Sequence, residues 1–309
     1  MKIYGAGLSG LLAACAFQTA EIHEAQDGPH GMGHKALLRF HSTAVADLTG
    51  IEFKKVTVHK GLWYAGKFQT PNIRLANWYS QKVTGKVLDR SIWDLQTVER
   101  YIAPEDFIDQ LERRHATRIR YASPLRAEHL WPGEIVDPCI STVPMNQVAT
   151  IVKMEPCQNF SFQPIVVRRW RLPQWVDVYQ TIYFPSPLLQ LYRASITGNL
   201  LIAEYIGHLQ DDPPKNKNEI LDAFGLEPSF AVELETVSQR YGKIAPIDNA
   251  WRQRFMFELS TKYKLFSLGR FATWRNILLD DVVKDLAVIR RLMVSTPYQN
   301  LLKTSMNLG

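Results

Sequence analysis

The stretch that most constrains the fold is the opening Met1–Gln26, MKIYGAGLSGLLAACAFQTAEIHEAQ. Met1 to Tyr4 is a short apolar run of the kind that forms a buried parallel strand. Gly5, Gly7 and Gly10 follow it as G-x-G-x-x-G at the opening of a helix. Each glycine answers a separate need: Gly5 the tight strand-to-helix turn, Gly7 the approach of backbone to a pyrophosphate, and Gly10 the close packing of helix on sheet. A diphosphate placed there meets unpaired N–H groups, those of Leu8 and Ser9 foremost, at the positive end of the helix dipole. Leu8, Leu11, Leu12 and Cys15 continue the apolar face of the helix. Ala20 to His23 reads as the second strand and ends at Glu24, whose carboxylate can accept hydrogen bonds from a ribose hydroxyl. Glycine turns are common, and an ordinary βα turn is the plain alternative. The conjunction of strand, glycines, helix, second strand and carboxylate in this order is what predicts a bound dinucleotide. No glycine turn separates the helix from the second strand, so their connection has to be tight.

A chain of 309 residues, 46% hydrophobic and 21% charged, has the size and balance of a globular protein with one large or two interleaved domains. No apolar run reaches the length of a bilayer span, and the N-terminal strand carries a nucleotide motif in place of a signal peptide. A cytoplasmic enzyme with no membrane partner is therefore expected. The three cysteines, Cys15, Cys139 and Cys157, lack metal-ligand spacing, so reduced structural thiols are expected and no metal site. A formal net charge of +6 favours an anionic partner, either a small molecule such as a nucleotide or a nucleic acid. The even spread of Lys and Arg fits a solubilising basic surface equally well.

After Glu24 comes AQDGPHGMGHKALLRFHS. Glu24 followed by Gly31 is similar to the E-x(6)-G-G extension of FAD-binding Rossmann enzymes of the glutathione-reductase type, in particular the branch of amine oxidases, protoporphyrinogen oxidase and UDP-galactopyranose mutase. His30 stands where that pair has its first glycine. The resemblance implies FAD as cofactor, with Ala25, Gly31 and Gly33 in a loop over the pyrophosphate. It also places His34, Lys35 and Arg39 just beyond the loop, on the flavin side, where His34 and Lys35 become catalytic candidates; otherwise they are solvated loop residues.

Residues 51–100 interleave aromatic and basic side chains, among them Phe53, Lys54, Lys55, Lys60, Trp63, Tyr64, Trp78, Tyr79 and Trp93, with period-two patches that predict strands or an extended cap. Such interleaving can mark a nucleic-acid surface, and more often marks a half-buried sheet with snorkelling lysines. Ala103 to Arg114 predicts a helix, with Pro104 in its first turn and Arg113 and Arg114 at its end. Arg118 to Tyr121 predicts a short strand. Ile135 to Met145 is an apolar strand running into Ser-Thr-x-Pro. In the resembled family such a segment passes the cofactor, which places Thr142 and Pro144 there; read alone, it is a turn. Four short strands are predicted over Ile165–Trp170, Val176–Phe184, Leu188–Ile196 and Leu200–Tyr205, separated by signals such as FPSP and TGN. They read as an antiparallel sheet, the floor of a substrate domain in these flavoenzymes, with Tyr183, Tyr192 and Arg193 directed at the active site. A guanidinium in an apolar strand pattern needs a partner: a substrate carboxylate or phosphate, or an internal acid such as Glu204. Residues 211–218, DDPPKNKN, predict a surface loop before a helix from Glu219. Lys243, in YGKIAPI, is the lysine to consider if the chemistry is amine oxidation.

The second strong signal is Leu265–Arg291, LFSLGRFATWRNILLDDVVKDLAVIRR. An apolar strand, Gly269-Arg270, an aromatic turn and Asp280-Asp281 opening an amphipathic helix together resemble the C-terminal FAD motif of the same branch. The resemblance implies close backbone approach at Gly269 and pyrophosphate neutralisation by Arg270. It also implies N–H groups at Asp281 and Val282 turned toward the flavin, and Trp274 either walling the ring system or filling core.

The expected class is α/β: a Rossmann-type FAD-binding domain (residues 1–50, 115–150 and 260–309) interleaved with an antiparallel-sheet substrate domain (residues 51–114 and 151–259). By the resemblance the chain is shorter than most relatives, which implies a pared-down substrate domain and an open pocket. Three functions follow. The first is oxidation of a C–N bond in an amine or amino acid, free or attached to a modified base in DNA or RNA. The second is isomerisation of a sugar nucleotide by reduced FAD. The third is a non-catalytic flavin scaffold, against which the retention of both motifs argues.

Overall fold

The computed structural model describes residues 1–29, 38–88, 91–130, 137–154, 159–207, 216–227 and 231–294. Its first half contains β1 (Lys2–Tyr4), α1 (Leu8–Ala16), β2 (Glu21–His23), β3 (Arg39–Phe40), α2 (Ala44–Thr49), β4 (Lys54–Tyr64), β5 (Lys67–Phe68), α3 (Ile73–Thr84), β6 (Val98–Ile102), α4 (Phe107–His115), β7 (Ile119–Arg120), β8 (Cys139–Ser141) and α5 (Met145–Ile151). Then come β9 (Phe162–Tyr183), β10 (Leu191–Ile206), α6 (Asn216–Phe224), β11 (Val232–Ile244), α7 (Asn249–Lys262), β12 (Leu265–Ser267) and α8 (Leu279–Val294). Among the described residues no helix is long and apolar enough to cross a membrane.

Five strands form a parallel sheet in the order β12-β8-β1-β2-β7. Its strands are short, and their central residues are apolar because both faces are covered there. Ile3, Ile22, Ile140 and Phe266 lie in register and pack under α1, α2, α4 and α8. Tyr4, Cys139 and Leu265 pack on the other side with Met145, Trp251, Phe255 and Trp274. The chain moves outward one way from β1 through β2 to β7 and the other way through β8 to β12. The crevice between β1 and β8 is therefore the switch point at which open α/β sheets bind ligands.

The second sheet has seven strands on the path β10-β9-β4-β6-β3, with β11 joined to β9 and β5 to β4. The four short strands expected between residues 162 and 206 are fused into two long ones, β9 and β10, and the TGN signal lies within β10 as an irregularity in its pairing with β9. A straight β10 would hold Arg193 and Glu204 about 35 Å apart, yet they are hydrogen-bonded, and Ile206 N–H donates to the Gln190 carbonyl at 2.9 Å. So β10 folds back at Gly198, which takes a positive φ of 57°, and Trp175 lies against that corner.

Three expectations need correction. The sheet is mixed, because β4 runs parallel to β9, Val58 opposite Tyr179 and Leu62 opposite Tyr183. Within the stretch expected to be extended, α3 is a helix: the Asn72 side chain accepts from Leu75 N–H at 3.1 Å, Gly85 (φ 70°) ends it, and Leu75, Ala76, Tyr79 and Val83 form its buried stripe. The helix expected from Ala103 begins at Phe107, whose N–H closes a turn on the Pro104 carbonyl at 3.1 Å.

Candidate functional site

The glycine loop fills the β1–β8 crevice. Gly5 has φ 99°, and a Cβ there would overlap the Thr142 hydroxyl. Thr142, just beyond β8, donates its N–H (2.8 Å) and its hydroxyl (3.0 Å) to the Tyr4 carbonyl and so fixes the start of the loop. At Gly10 a Cβ would run into the Gly5 carbonyl oxygen, so this glycine lets α1 sit down on the loop. Gly7 differs from both. Its φ is −63°, it caps α1 without a side-chain hydrogen bond, and a Cβ there would meet nothing within 4 Å. Gly10 N–H and Leu11 N–H both close on the Gly7 carbonyl at 2.8 and 3.0 Å. The N–H groups of Leu8 and Ser9, in the first turn, have no carbonyl within the helix to accept them. Among the described residues, an open side at the middle glycine and a helix terminus with unpaired N–H groups are what a diphosphate requires. Glu24, 6% exposed, accepts from Ala6 N–H at 2.6 Å and Gln26 N–H at 3.0 Å, tying the end of β2 to the loop. Ala25 is exposed beside Glu24. Gly31, Gly33, His34 and Lys35 lie outside the described residues, as does Cys157.

The C-terminal motif packs onto the same place. Gly269 has φ 90°, and a Cβ there would strike the Ser9 hydroxyl and lie 2.8 Å from Ser9 Cβ. Gly269 and Gly5 thus flank the first turn of α1. The Thr273 N–H and hydroxyl return to the Gly269 carbonyl at 3.0 and 2.8 Å, winding the segment into a turn. Pro144 caps α5, and the next N–H, of Met145, donates to the Phe271 carbonyl at 2.9 Å, which joins the two cofactor-side segments. Arg270 is half-buried, its guanidinium 5.8 Å from the Phe271 ring. Trp274 is 2% exposed; its ring stands edge-on to Phe160 at 4.9 Å and its indole N–H donates to Ala245 at 3.0 Å, so the indole fills core. The N–H groups of Asp281 and Val282, expected to face a ligand, donate to the Leu278 carbonyl at 3.1 and 3.3 Å, because both positions lie inside the first turn of α8. Burial works to raise the Asp281 carboxyl, but Leu278 N–H and Lys284 bring it below its usual value.

Sequence reasoning missed Asp280. It is 5% exposed and accepts from Ser42 Oγ (2.6 Å), Ser42 N–H (3.0 Å) and His41 N–H (3.2 Å). It ties the first turn of α8 to the residues that follow β3. The acidic doublet was visible; a partner 238 residues away was not.

That junction adjoins one face of the second sheet. Arg39 lies opposite Ile102, Arg100 opposite Val56, Val58 opposite Tyr179, Thr181 opposite Ser195, and Tyr183 opposite Arg193. Cross-strand partners share a face, as do alternate residues along a strand, so all of these look the same way. Arg39 donates to the Thr181 hydroxyl at 3.1 Å and covers the Tyr179 ring at 5.0 Å, and Thr181 and Ser195 share a hydrogen bond of 3.0 Å. His41 is held below its ordinary pKa by burial and next by Arg100.

At the other end of this face, Glu204 gathers three of the predicted site residues. Arg193 donates to it through Nε and through Nη2 (2.7 Å), the Tyr192 hydroxyl donates at 2.9 Å, and Lys243 Nζ sits 4.7 Å from the centre of the Tyr192 ring. Burial alone would raise the Glu204 carboxyl, but the Arg193 guanidinium outweighs it and holds the acid well below its usual range. Burial, reinforced by Glu204, keeps the Tyr192 phenol protonated far above its ordinary value. Lys243 also lines an open cleft of 590 Å³ with Gln163, Ser161 and Asp248.

No family model and no curated protein matches the chain. Solved structures do. The chain is similar to reduced UDP-galactopyranose mutase, with 15% identity and a TM-score of 0.64 over 99% of this chain and 96% of that one. It is similar to a protein described as an FAD-containing monooxygenase from Photorhabdus luminescens subsp. laumondii TTO1, with 11% identity and a TM-score of 0.53 over 99% and 91% of the two chains. A third likeness is to a CLA-producing fatty acid isomerase from P. acnes, with 11% identity and a TM-score of 0.57 over 94% and 97%. At these identities the likeness is one of fold, shared with proteins that include one described as FAD-containing.

Proposed function

We propose that this protein is an FAD-dependent oxidoreductase that oxidises a C–N bond in an anionic amine or amino-acid-type substrate, either free or as an adduct on a modified nucleotide of DNA or RNA. The observation that carries the reading is the close approach of Gly269 to Ser9, which packs the two glycine motifs around the first turn of α1. In this reading Gly5, Gly7, Leu8, Ser9 and Gly10 hold the diphosphate and Glu24 the ribose. Thr142, Pro144, Gly269 and Arg270 shape the far wall, and Asp281 and Val282 lie in the helix turn whose positive end faces the ring system. FAD, when bound, supplies the hydride acceptor.

The chain's own residues then orient the substrate. Glu204 engages Nε and Nη2 of Arg193 and so fixes the guanidinium, which leaves Nη1 to meet a substrate anion. Tyr192 stays protonated and is a hydrogen-bond donor at neutral pH. Lys243 and, beyond the described residues, His34 and Lys35 are the basic groups from which a proton acceptor would come. Anaerobic titration with amines and amino acids, alone or on a nucleotide, tests this: loss of the oxidised flavin's visible absorbance supports it, and failure with all of them counts against it.

The likeness to UDP-galactopyranose mutase favours a second reading, a sugar-nucleotide isomerase that uses reduced FAD. Its mark would be turnover of a sugar nucleotide only after reduction with dithionite.

A further inference from the structure

Several buried or half-buried arginines in this protein are met by acids. Arg169 is held by Glu105 and Glu235 at 2.5 Å each, Arg193 by Glu204, and Arg275 by Asp285. Others, such as Arg118, are held by several backbone carbonyls instead, whereas Arg39 and Arg100 lie side by side with neither arrangement. Both are half-buried on the face of the second sheet that also carries the apolar Val56, Val58 and Ile102, and among the described residues neither has a carboxylate within 4 Å. Arg39 has a neutral hydroxyl, Thr181, and a ring, Tyr179; Arg100 has the Glu99 carbonyl at 2.7 Å. Arg39 lies opposite Ile102, so Arg100 is its diagonal neighbour on the same face, at a Cβ spacing of about 7 Å. The two cations also repel: Arg100 is depressed first by burial and next by Arg39, against the pull of Asp280. Asp280 brings one negative charge against two positive ones, and its pull on Arg100 ranks behind the repulsion from Arg39.

Two like charges kept half out of water, with planar donors converging on one face, call for an oxyanion. We infer that Arg39 and Arg100 form a clamp for the carboxylate or phosphate group of the substrate, with the Thr181–Ser195 hydroxyl pair beside it. This rests on the flavoenzyme reading, which places the substrate on this face. It assigns the substrate's anionic end to the β3–β6 edge of the sheet, with Arg193 at the opposite end of the same face.

Calorimetric titration of the FAD-loaded full chain with inorganic pyrophosphate, and separately with benzoate, reads the clamp without turnover. Wild type is expected to bind one equivalent of at least one probe. Arg39→Gln and Arg100→Gln should each weaken binding about tenfold or more, and Arg39→Lys should weaken it less than Arg39→Gln. Binding of pyrophosphate alone points to a phosphate-bearing substrate and of benzoate alone to a carboxylate-bearing one; either supports the clamp. No saturable heat with either probe in wild type, or equal affinity in wild type and both Gln variants, overturns it. If a variant folds by circular dichroism but loses FAD, the arginines serve the cofactor, and the inference is likewise overturned. Should the chain take up no FAD at all, the flavoenzyme reading fails separately, and the same titrations on the apoprotein still decide the clamp.

Discussion

Gly269→Ala tests whether the two ends of the chain meet at the helix terminus. The new methyl faces two distinct penalties. A φ of 90° is outside the range an L-residue adopts easily, which costs about 1–2 kcal/mol. The added Cβ would also strike the Ser9 hydroxyl and sit 2.8 Å from Ser9 Cβ, an overpacking term of about 1–3 kcal/mol. The single variant should therefore lose about 2–5 kcal/mol in urea denaturation followed by tryptophan fluorescence. Ser9→Gly removes both atoms the methyl would meet and by itself costs about 1 kcal/mol or less as an early helix residue. In the double variant the steric part should vanish and the dihedral part remain. The cycle should show a compensating coupling of about 1–3 kcal/mol. If the double variant loses the simple sum of the two singles, Gly269 does not rest on Ser9 and the shared cradle is wrong.

Other consequences follow from the same geometry. Gly7→Ala should leave the urea midpoint of the apoprotein nearly unchanged while lowering FAD affinity at least tenfold, because its Cβ meets only open space. Gly10→Ala, whose Cβ would meet the Gly5 carbonyl, should destabilise the fold itself by about 3 kcal/mol; equal stability losses in the two would contradict the division of roles. Glu204→Gln leaves Arg193 without its counter-charge and should cost about 3–5 kcal/mol in urea, with much of it recovered in Arg193→Met/Glu204→Leu; a neutral Glu204→Gln would show the pair to be solvated. Lys82 donates to the Phe184 and Leu191 carbonyls at 2.7 and 2.6 Å, and burial pulls it down to about 7 against the pull of Glu219. The unfolded chain, with a lysine near 10.4, binds the extra proton between those values, so wild-type stability should rise from about pH 7 to pH 10. Lys82→Met should lack that rise, and identical pH profiles of the urea midpoint would refute the assignment.

What was legible in the sequence was local. G-x-G-x-x-G, Glu24 and the Gly269-Arg270 segment each have a role set by neighbours within a few residues, and the structure places them around one helix terminus. The break at Thr197–Asn199 was legible as a local signal, but it is a bend within β10 at Gly198 and not the strand-separating turn expected. The amphipathic stripe of α3 was hidden by the aromatic and basic alternation ahead of it, though Asn72 and Gly85 marked both of its ends. Glu204 was named as an alternative partner of Arg193, but the fold-back that joins them to Tyr192 and Lys243 depends on how β10 bends at Gly198 along β9. Asp280 with Ser42, and Arg39 with Arg100, meet across long separations. Only strand register and helix placement reveal them, and neither is written in composition or spacing.

The most direct measurement is the visible absorbance spectrum of the purified protein, followed by denaturation and identification of the released chromophore. A flavin spectrum and release of FAD at one equivalent per chain is the predicted result. A colourless protein that also takes up no added FAD would contradict the proposed flavoenzyme at its root.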